Sequence, residues 1–116
     1  MKIKIITISA LCILLSACAA NDMYYWGSYE NTLYNYTKEP SEGSLSKHKS
    51  ELEKIITKGS TGKKGIPPGI YFELAVIEAK AGNNARSLEL FNMEKTLFPE
   101  ATVYVDNAIK QLGANS

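Results

Sequence analysis

The stretch YFELAVIEAKAGNNARSLELF, residues 71–91, sets the predicted fold of this chain. Its first half is apolar around most of a helical circumference, and its second half alternates apolar and charged residues at helical spacing. Between them stands Gly82, which favours a left-handed helix cap, and the two asparagines after it can cap a new helix. The stretch therefore predicts a helical hairpin, with helices over 70–81 and 85–98.

The spacing within this hairpin matches a known repeat. When Pro99 is placed at the terminal proline of a tetratricopeptide unit of about 34 residues, six positions fall in phase. They are Tyr71, Leu74, Ala75, Gly82, Ser87 and Phe91. Glu78 stands in place of an aromatic residue and Glu94 in place of a small one, so the hairpin resembles a degenerate tetratricopeptide unit. Both glutamates are expected to line its concave groove and are candidate binding residues.

The most aromatic part of the chain precedes the hairpin and predicts a first helix. Its apolar stripe falls at i, i+3, i+7 and i+10, with Ser28 as a cap. The stripe consists of Trp26, Tyr29, Leu33 and Tyr36. Because large aromatic side chains provide much of the burial in a small domain, the stripe is interpreted as core. Tyr24 and Tyr34 lie off the stripe and are therefore candidate binding residues at the surface.

Two further amphipathic patterns predict helices on either side of the hairpin. One covers 41–57, and the other covers 101–112. Residues 58–65 are interpreted as a flexible loop because of their composition. Their glycines and lysines suggest a phosphate-binding loop, but the GxxxxGK[ST] spacing is absent.

One repeat cannot bury both of its faces alone, so the hairpins are expected to stack. The predicted fold class is all-α: helical hairpins in a short tetratricopeptide-like stack of about five helices. The domain is expected over 25–113, followed by a tail at 114–116. The fourth helix is expected to direct four apolar side chains inward, Leu88, Phe91, Leu97 and Phe98. The apolar residues of the last helix are Val103, Ala108, Ile109 and Leu112.

The amino-terminal segment predicts an export signal. Lys2 and Lys4 precede an apolar run of about eleven residues, whereas a membrane span needs about 20. The run ends in Leu15-Ser16-Ala17-Cys18, which resembles the lipobox of bacterial lipoproteins. That resemblance implies a signal peptide over 1–17, a diacylglyceryl group on the Cys18 sulfur, acylation of its freed amine, and a short tether over 18–24. An ordinary signal peptide with a chance cysteine is the alternative.

The predicted mature chain carries little net charge. Loss of 17 of the 116 residues removes Lys2, Lys4 and Cys12, and leaves 11 cationic against 12 anionic side chains. This balance disfavours nucleic acid and capture by anionic headgroups, so attachment to the membrane is assigned to the lipid, palmitate included. No cofactor other than that lipid is expected. Ala19 in place of Asp resembles the exported class of lipoproteins, which implies the outer membrane.

The residue pattern offers little for catalysis. His48 is the only histidine of the chain, and it stands between Lys47 and Lys49. A catalytic base needs a nucleophile and an orienting group, and a metal ligand needs companions. We therefore expect a structural histidine, no metal and no enzymatic activity.

Six short motifs extend through most of residues 26–100. They are Trp26-Gly27-x-Tyr29, Leu33-Tyr34-x-Tyr36, Glu39-Pro40-Ser41, Glu51-Leu52-Glu53-Lys54-Ile55-Ile56, Pro67-Pro68-Gly69-Ile70-Tyr71 and Phe98-Pro99-Glu100. On these motifs the chain resembles a family of small proteobacterial lipoproteins classed only as a domain of unknown function. Members are commonly encoded beside a lipoprotein similar to the curli secretion channel and another uncharacterised lipoprotein. The resemblance implies work in a cell-envelope assembly.

The leading hypothesis is a non-enzymatic adaptor anchored by lipid on the periplasmic face of the outer membrane. It would bind another envelope lipoprotein, such as one similar to the curli secretion channel, through a tetratricopeptide-like surface. The alternative, from another class of function, is binding of peptidoglycan or another glycan by the aromatic segment that includes Tyr24 and Tyr34.

Overall fold

The computed structural model describes residues 23–114. Five α-helices follow one another in this part of the chain, with a short 3₁₀ turn before the last. They are α1 (Tyr29–Lys38), α2 (Glu42–Thr61), α3 (Ile70–Lys80), α4 (Asn84–Leu97), the 3₁₀ turn Pro99–Ala101, and α5 (Thr102–Ala114). The predicted all-α class with about five helices is confirmed. The predictions for 1–22 and 115–116, lipidation of Cys18 among them, lie outside the described residues.

Consecutive helices pack antiparallel. The backbone N–H of Ser28, just before α1, donates to Glu51 Oε1 at 2.8 Å, and Thr32 Oγ1 lies 2.8 Å from His48 Nδ1. Later residues of α1 thus contact earlier residues of α2, which shows that the two helices run in opposite directions. Within 23–114, every helix is too short or too polar to cross a lipid bilayer.

The antiparallel order gives the stack two ends. The loop end holds the chain entry at 23–28, the α2–α3 loop at 62–69 and the α4–α5 turn at 98–101. The turn end holds the short connections at 39–41 and 81–83, together with the end of α5.

The α3–α4 hairpin forms the centre of the core. Ala75 and Ser87 are fully buried, and the Ser87 hydroxyl donates to the Ala75 carbonyl at 2.7 Å. Small residues at both positions let the two helices approach closely. Tyr71, Leu74 and Phe91 are buried around this contact, as predicted. The complete buried apolar cluster is Leu52, Ile55, Ile66, Ile70, Tyr71, Leu74, Ala75, Leu90, Phe91 and Val105.

Gly82 ends α3 in the predicted left-handed conformation, with φ +86°. The backbone N–H of Asn83 donates to the Glu78 carbonyl at 2.9 Å, and that of Gly82 to the Ala79 carbonyl at 3.0 Å. These two bonds form a Schellman motif, which satisfies carbonyls that the helix end leaves without partners.

Helix α2 continues about one turn beyond its predicted end, so 58–61 is helical rather than loop. The reason is tertiary packing at Gly59. A Cβ on this residue would lie 2.6 Å from Ile66 Cγ1, so only glycine lets Ile66 pack against the helix. The hydroxyls of Ser60 and Thr61 also bond to carbonyls one turn back.

Several apolar side chains of α4 and α5 are exposed, contrary to the inward direction predicted for Leu88 and Leu97. Leu88 and Leu97 of α4 are more than two-fifths exposed, and Val103 of α5 is 75% exposed. The buried face of α4 includes Ser87 and Glu94, which a hydrophobicity pattern counts as outward. In α5, the 3₁₀ turn rotates the helix start, so that Val105 is buried.

Other differences lie at helix ends. Trp26 precedes α1 instead of joining its stripe and is 41% exposed; Tyr29, Leu33 and Tyr36 are only partly buried. Gly113, predicted to stop the last helix, lies within α5.

We predict that Gly82→Ala lowers the free energy of unfolding by about 1 kcal/mol, because a side chain disfavours the left-handed conformation. A Cβ at Gly82 would meet nothing within 4 Å, so the loss comes from backbone conformation alone. Thermal unfolding should show a melting temperature lower by roughly 4–8 °C. Gly43→Ala, in the first turn of α2, is the matched control and should not lower it. Equal melting temperatures for both variants would contradict the cap assignment.

Candidate functional site

A chain of polar groups, centred on a buried histidine, joins the first three helices. His48 on α2 is 1% exposed, and its Nε2 bonds to the carboxylate of Glu73 on α3. Its Nδ1 lies 2.8 Å from the Thr32 hydroxyl on α1, and the Tyr29 hydroxyl donates to Glu73 Oε2 at 2.7 Å. The carboxylate partner of His48 comes from a helix 25 residues away in sequence, so sequence spacing could not reveal it.

Hydroxyl, imidazole and carboxylate follow one another here, as in a nucleophilic triad. However, Thr32 Oγ1 is also within 3.2 Å of the Tyr29 carbonyl, and the Thr32 N–H donates to the Ser28 carbonyl. That N–H therefore cannot polarise a substrate carbonyl. Burial, followed by the hydrogen bond to Glu73, raises the pKa of Tyr29, so its hydroxyl remains a donor. The arrangement acts as a structural tie between α1, α2 and α3.

Glu78 is almost fully buried and borders an open depression at the turn end, and both of its carboxylate oxygens are bonded within the stack. Lys49 Nζ lies 2.6 Å from Oε1, and the Asn83 side-chain amide donates to Oε2 at 2.7 Å. The hydrogen bond from Lys49 is the main cause that lowers the pKa of Glu78. The side chain therefore links α2 to the α3–α4 turn.

Among residues 23–114, no group of three or more His, Cys, Asp and Glu could hold a metal ion.

Glu94 is also buried, at 3% exposure, whereas the sequence pattern predicted a position in the concave groove. One carboxylate oxygen accepts a hydrogen bond from the backbone N–H of Gly69, which precedes α3 at φ +93°. The other oxygen is buried and has no hydrogen-bond partner within the described part of the chain. Burial raises the pKa of Glu94, with a smaller contribution from Glu100.

The two tyrosines predicted as surface contacts lie apart. Tyr24 is partly buried at the loop end, where it forms an isolated β-bridge with Gly65. Tyr34 is 59% exposed, and Lys38 Nζ lies 5.8 Å from its ring centroid. Tyr34 borders an open cleft of about 700 Å³ between α1 and α2. We call this the polar cleft; its lining includes Asn31, Tyr34, Asn35, Lys38, Ser44 and Lys47.

A second surface combines partly exposed aromatic side chains from three regions of the chain. Trp26 and Tyr29 lie with ring centroids 5.4 Å apart, and Phe72 and Tyr104 with centroids 4.7 Å apart. Trp26, Tyr29, Phe72 and Val76 border a depression of about 400 Å³. We call this surface the aromatic groove; it comprises Trp26, Tyr29, Phe72, Val76 and Tyr104.

The aromatic groove continues towards the turn end. A neighbouring depression of about 330 Å³ shares Val76 and adds Ala108 and Leu112 of α5. Phe72 packs against buried Phe91 at 5.2 Å, which supports the wall of the groove from below. The groove therefore runs along α3 and α5, with its walls held by the core.

The sequence pattern alone did not predict the aromatic groove, although the apolar circumference of α3 was one indication of it. Helix α3 is apolar on nearly every side, and only one of these faces packs against α4. The adjacent face, with Phe72 and Val76, is only partly buried. Tyr104 could not be placed there because the direction of α5 depends on the 3₁₀ turn.

Comparison with known proteins places most of this chain in one family. The family model described as Domain of unknown function (DUF4810) matches residues 23–108. No curated protein and no solved structure matches the chain. The match covers α1 to α4 completely and the first half of α5, so both surfaces described above lie almost entirely within it.

Burial of Glu94 predicts a pH-dependent stability. A raised pKa means that the folded chain holds this proton more tightly than the unfolded chain, so stability falls as pH rises above the unfolded pKa, ~4.3. Glu94→Gln keeps an acceptor for the Gly69 N–H and cannot ionise. We therefore compare the free energy of unfolding of Glu94→Gln with that of the natural chain at each pH. The difference in favour of the variant should be larger at pH 7.5 than at pH 4, by about 1–3 kcal/mol.

Denaturant unfolding at the two pH values measures this change. The exposed Glu53→Gln on α2 is the control and should show little change relative to the natural chain. A pH-independent difference between Glu94→Gln and the natural chain would contradict the inferred cost of the buried carboxylate.

Proposed function

The chain belongs to the DUF4810 family, and we propose that it is a lipid-anchored adaptor of the bacterial cell envelope that binds a partner protein through the aromatic groove. The observation that carries the proposal is the exposure of aromatic rings along this groove. Trp26 is 41% and Tyr104 67% exposed, and each contacts a ring, Tyr29 or Phe72, that packs against the apolar core. Contiguous exposed apolar surface of this kind is typical of interaction sites.

The groove has properties that favour binding of an apolar peptide segment. Aromatic side chains contribute a large contact area with few rotatable bonds, and they are enriched at protein interfaces. Tyr29 is held by its bond to Glu73, and Phe72 by its contact with Phe91. Because these rings are already positioned, little conformational entropy would be lost on binding.

The side of the stack on which the groove lies supports the tetratricopeptide-like interpretation. Its residues come from α3, α5 and the start of α1, which are the odd-numbered helices. In tetratricopeptide stacks the repeats form extended concave surfaces that bind partners. The proposed partner is another envelope lipoprotein, such as one similar to the curli secretion channel, because the family resemblance implies a shared assembly.

The anchor in this proposal is the lipid on Cys18. The lipobox Leu15-Ser16-Ala17-Cys18 supports it, and Ala19 supports export to the outer membrane with the domain in the periplasm. Three acyl chains on one residue would hold the protein firmly, since stable anchoring takes two or more such signals.

The proposed role is non-enzymatic, because His48 and Glu73 are engaged with each other inside the stack. The polar cleft favours one second candidate, glycan binding. There the exposed Tyr34 ring stands beside the side-chain amides of Asn31 and Asn35, a combination that can stack on and hydrogen-bond to a sugar.

We expect the double variant Trp26→Ala/Tyr104→Ala to recover at least tenfold less partner protein in pull-downs from crosslinked envelope extracts. Both side chains are largely exposed, so the fold should persist, which circular dichroism can verify. Tyr34→Ala removes an exposed aromatic ring outside the groove and is the matched control. Equal recovery with the double variant would refute groove binding. Co-sedimentation with purified peptidoglycan that requires Tyr34 but not Trp26 would instead support the glycan candidate.

We also expect labelled palmitate to enter the natural chain and the Cys12→Ser variant, but not Cys18→Ser. Cys12 lies within the predicted signal and provides a matched cysteine control. The purified native chain should be heavier than residues 18–116 by the mass of a diacylglyceryl and an acyl group. A mass equal to that of the unmodified residues would refute the anchor.

A further inference from the structure

The chain enters its fold beside the α2–α3 loop. The backbone N–H of Gly65 donates to the Met23 carbonyl, and that of Tyr25 to the Gly65 carbonyl, both at 2.9 Å. These two bonds form a short parallel pairing centred on Tyr24. The loop and the entry segment are therefore held together at the loop end of the stack.

This loop lies in the most basic part of the chain. Between Glu53 and Glu73 the sequence contains four lysines and no acidic residue. We call these residues the basic segment: Lys54, Lys58, Lys63 and Lys64. All four side chains are exposed. The whole chain is nearly neutral, but its charged residues are unevenly distributed along the sequence.

Acidic side chains lie near the basic segment but outside the α2–α3 loop, and the exposed Glu53 directly precedes Lys54 on α2. Glu30 lies in the first turn of α1, and Glu100 lies in the 3₁₀ turn before α5. Glu51 of α2 is engaged by the Ser28 N–H. The charged side chains of the α2–α3 loop itself, Lys63 and Lys64, are both positive.

The lipid anchor would bring this segment to a membrane, so the inference rests on the proposed function. Cys18 precedes Met23 by five residues, which can span at most about 17 Å. Because Met23 is hydrogen-bonded to Gly65, the basic segment is held within a similar distance of the bilayer. The turn end lies about 30 Å from the loop end, which is the length of α2.

We propose that the basic segment docks on anionic phospholipid headgroups and so holds the domain with its loop end on the membrane. Clusters of four or more lysines near a membrane attachment point are attracted to anionic lipid, about fivefold for each lysine close to the surface. Screening confines this attraction to roughly 8 Å at physiological salt, so the short tether is essential.

Docking in this way also orients the aromatic groove. The groove extends from Trp26 near the loop end to the depression that contains Leu112 near the turn end. With the loop end on the membrane, the groove runs away from the bilayer. A partner in the groove would then extend from the membrane surface into the periplasm.

The test uses the full lipidated protein with a single introduced cysteine that carries a fluorophore. The variant Ser60→Cys places the dye in the basic segment, and Ala85→Cys places it in the first turn of α4 at the turn end. Each protein is reconstituted in vesicles that contain nitroxide-headgroup lipid, either in phosphatidylcholine alone or with phosphatidylglycerol added. Nitroxide quenching reports the distance between the dye and the headgroups.

We expect the dye at position 60 to be quenched at least twofold more in vesicles with phosphatidylglycerol, and the dye at position 85 to be unaffected. Adding Lys54→Gln, Lys58→Gln and Lys63→Gln to Ser60→Cys should abolish the effect of phosphatidylglycerol. The charge-matched control Lys38→Gln, Lys80→Gln and Lys110→Gln neutralises lysines towards the turn end and should preserve it.

The outcomes separate the two proposals. If the protein floats with both kinds of vesicle but its quenching at position 60 is the same in each, docking is refuted while the anchor stands. If the triple variant of the basic segment is quenched like its parent, the lysines are not the contact and docking is also refuted. If the protein does not float with vesicles at all, the lipid anchor is wrong and this inference is overturned with it.

Discussion

The close approach of α3 and α4 is the constraint on which the rest of the stack depends. Ala75 and Ser87 are completely buried, and the bond between them sets the separation of the two helices. Tyr71 and Phe91 can then fill the spaces beside that contact, and α2 and α5 can pack on its flanks. A chain of this size buries only roughly 60–70% of the surface that it exposes when unfolded, so a single tight hairpin determines much of its stability.

Buried polar side chains add direction to this apolar core. His48 bonds to α1 and α3, Glu78 to α2 and the α3–α4 turn, and Glu94 to the residue that precedes α3. Each bond must form in the folded state, because a buried polar group without a partner is costly. These bonds therefore favour one arrangement of the helices. They also engage these titratable groups internally, whereas the aromatic groove, the proposed site of recognition, remains at the surface.

The two proposed contact surfaces follow from how the hairpins are joined. Helix α3 is apolar on two faces, of which one meets α4 and the other forms the aromatic groove with Trp26 and Tyr104. The end of α2 and the long connection after it carry the lysines of the basic segment, and this connection pairs with the segment through which the chain enters. The apolar and basic surfaces thus lie on different parts of one rigid stack, and binding at one need not block the other.

The sequence by itself determined the number and class of the helices, the left-handed end of α3 at Gly82, and the small and large residues of the central hairpin. These features depend on neighbours within one or two turns, so local pattern is sufficient to predict them. Only the tertiary structure decided the partners of His48, Glu78 and Glu94, the exposure of Trp26 and Val103, and the extension of α2. Each of these depends on contacts between distant segments. A hydrogen bond can hold a polar residue inside the core, and the orientation of a helix can leave an apolar residue exposed.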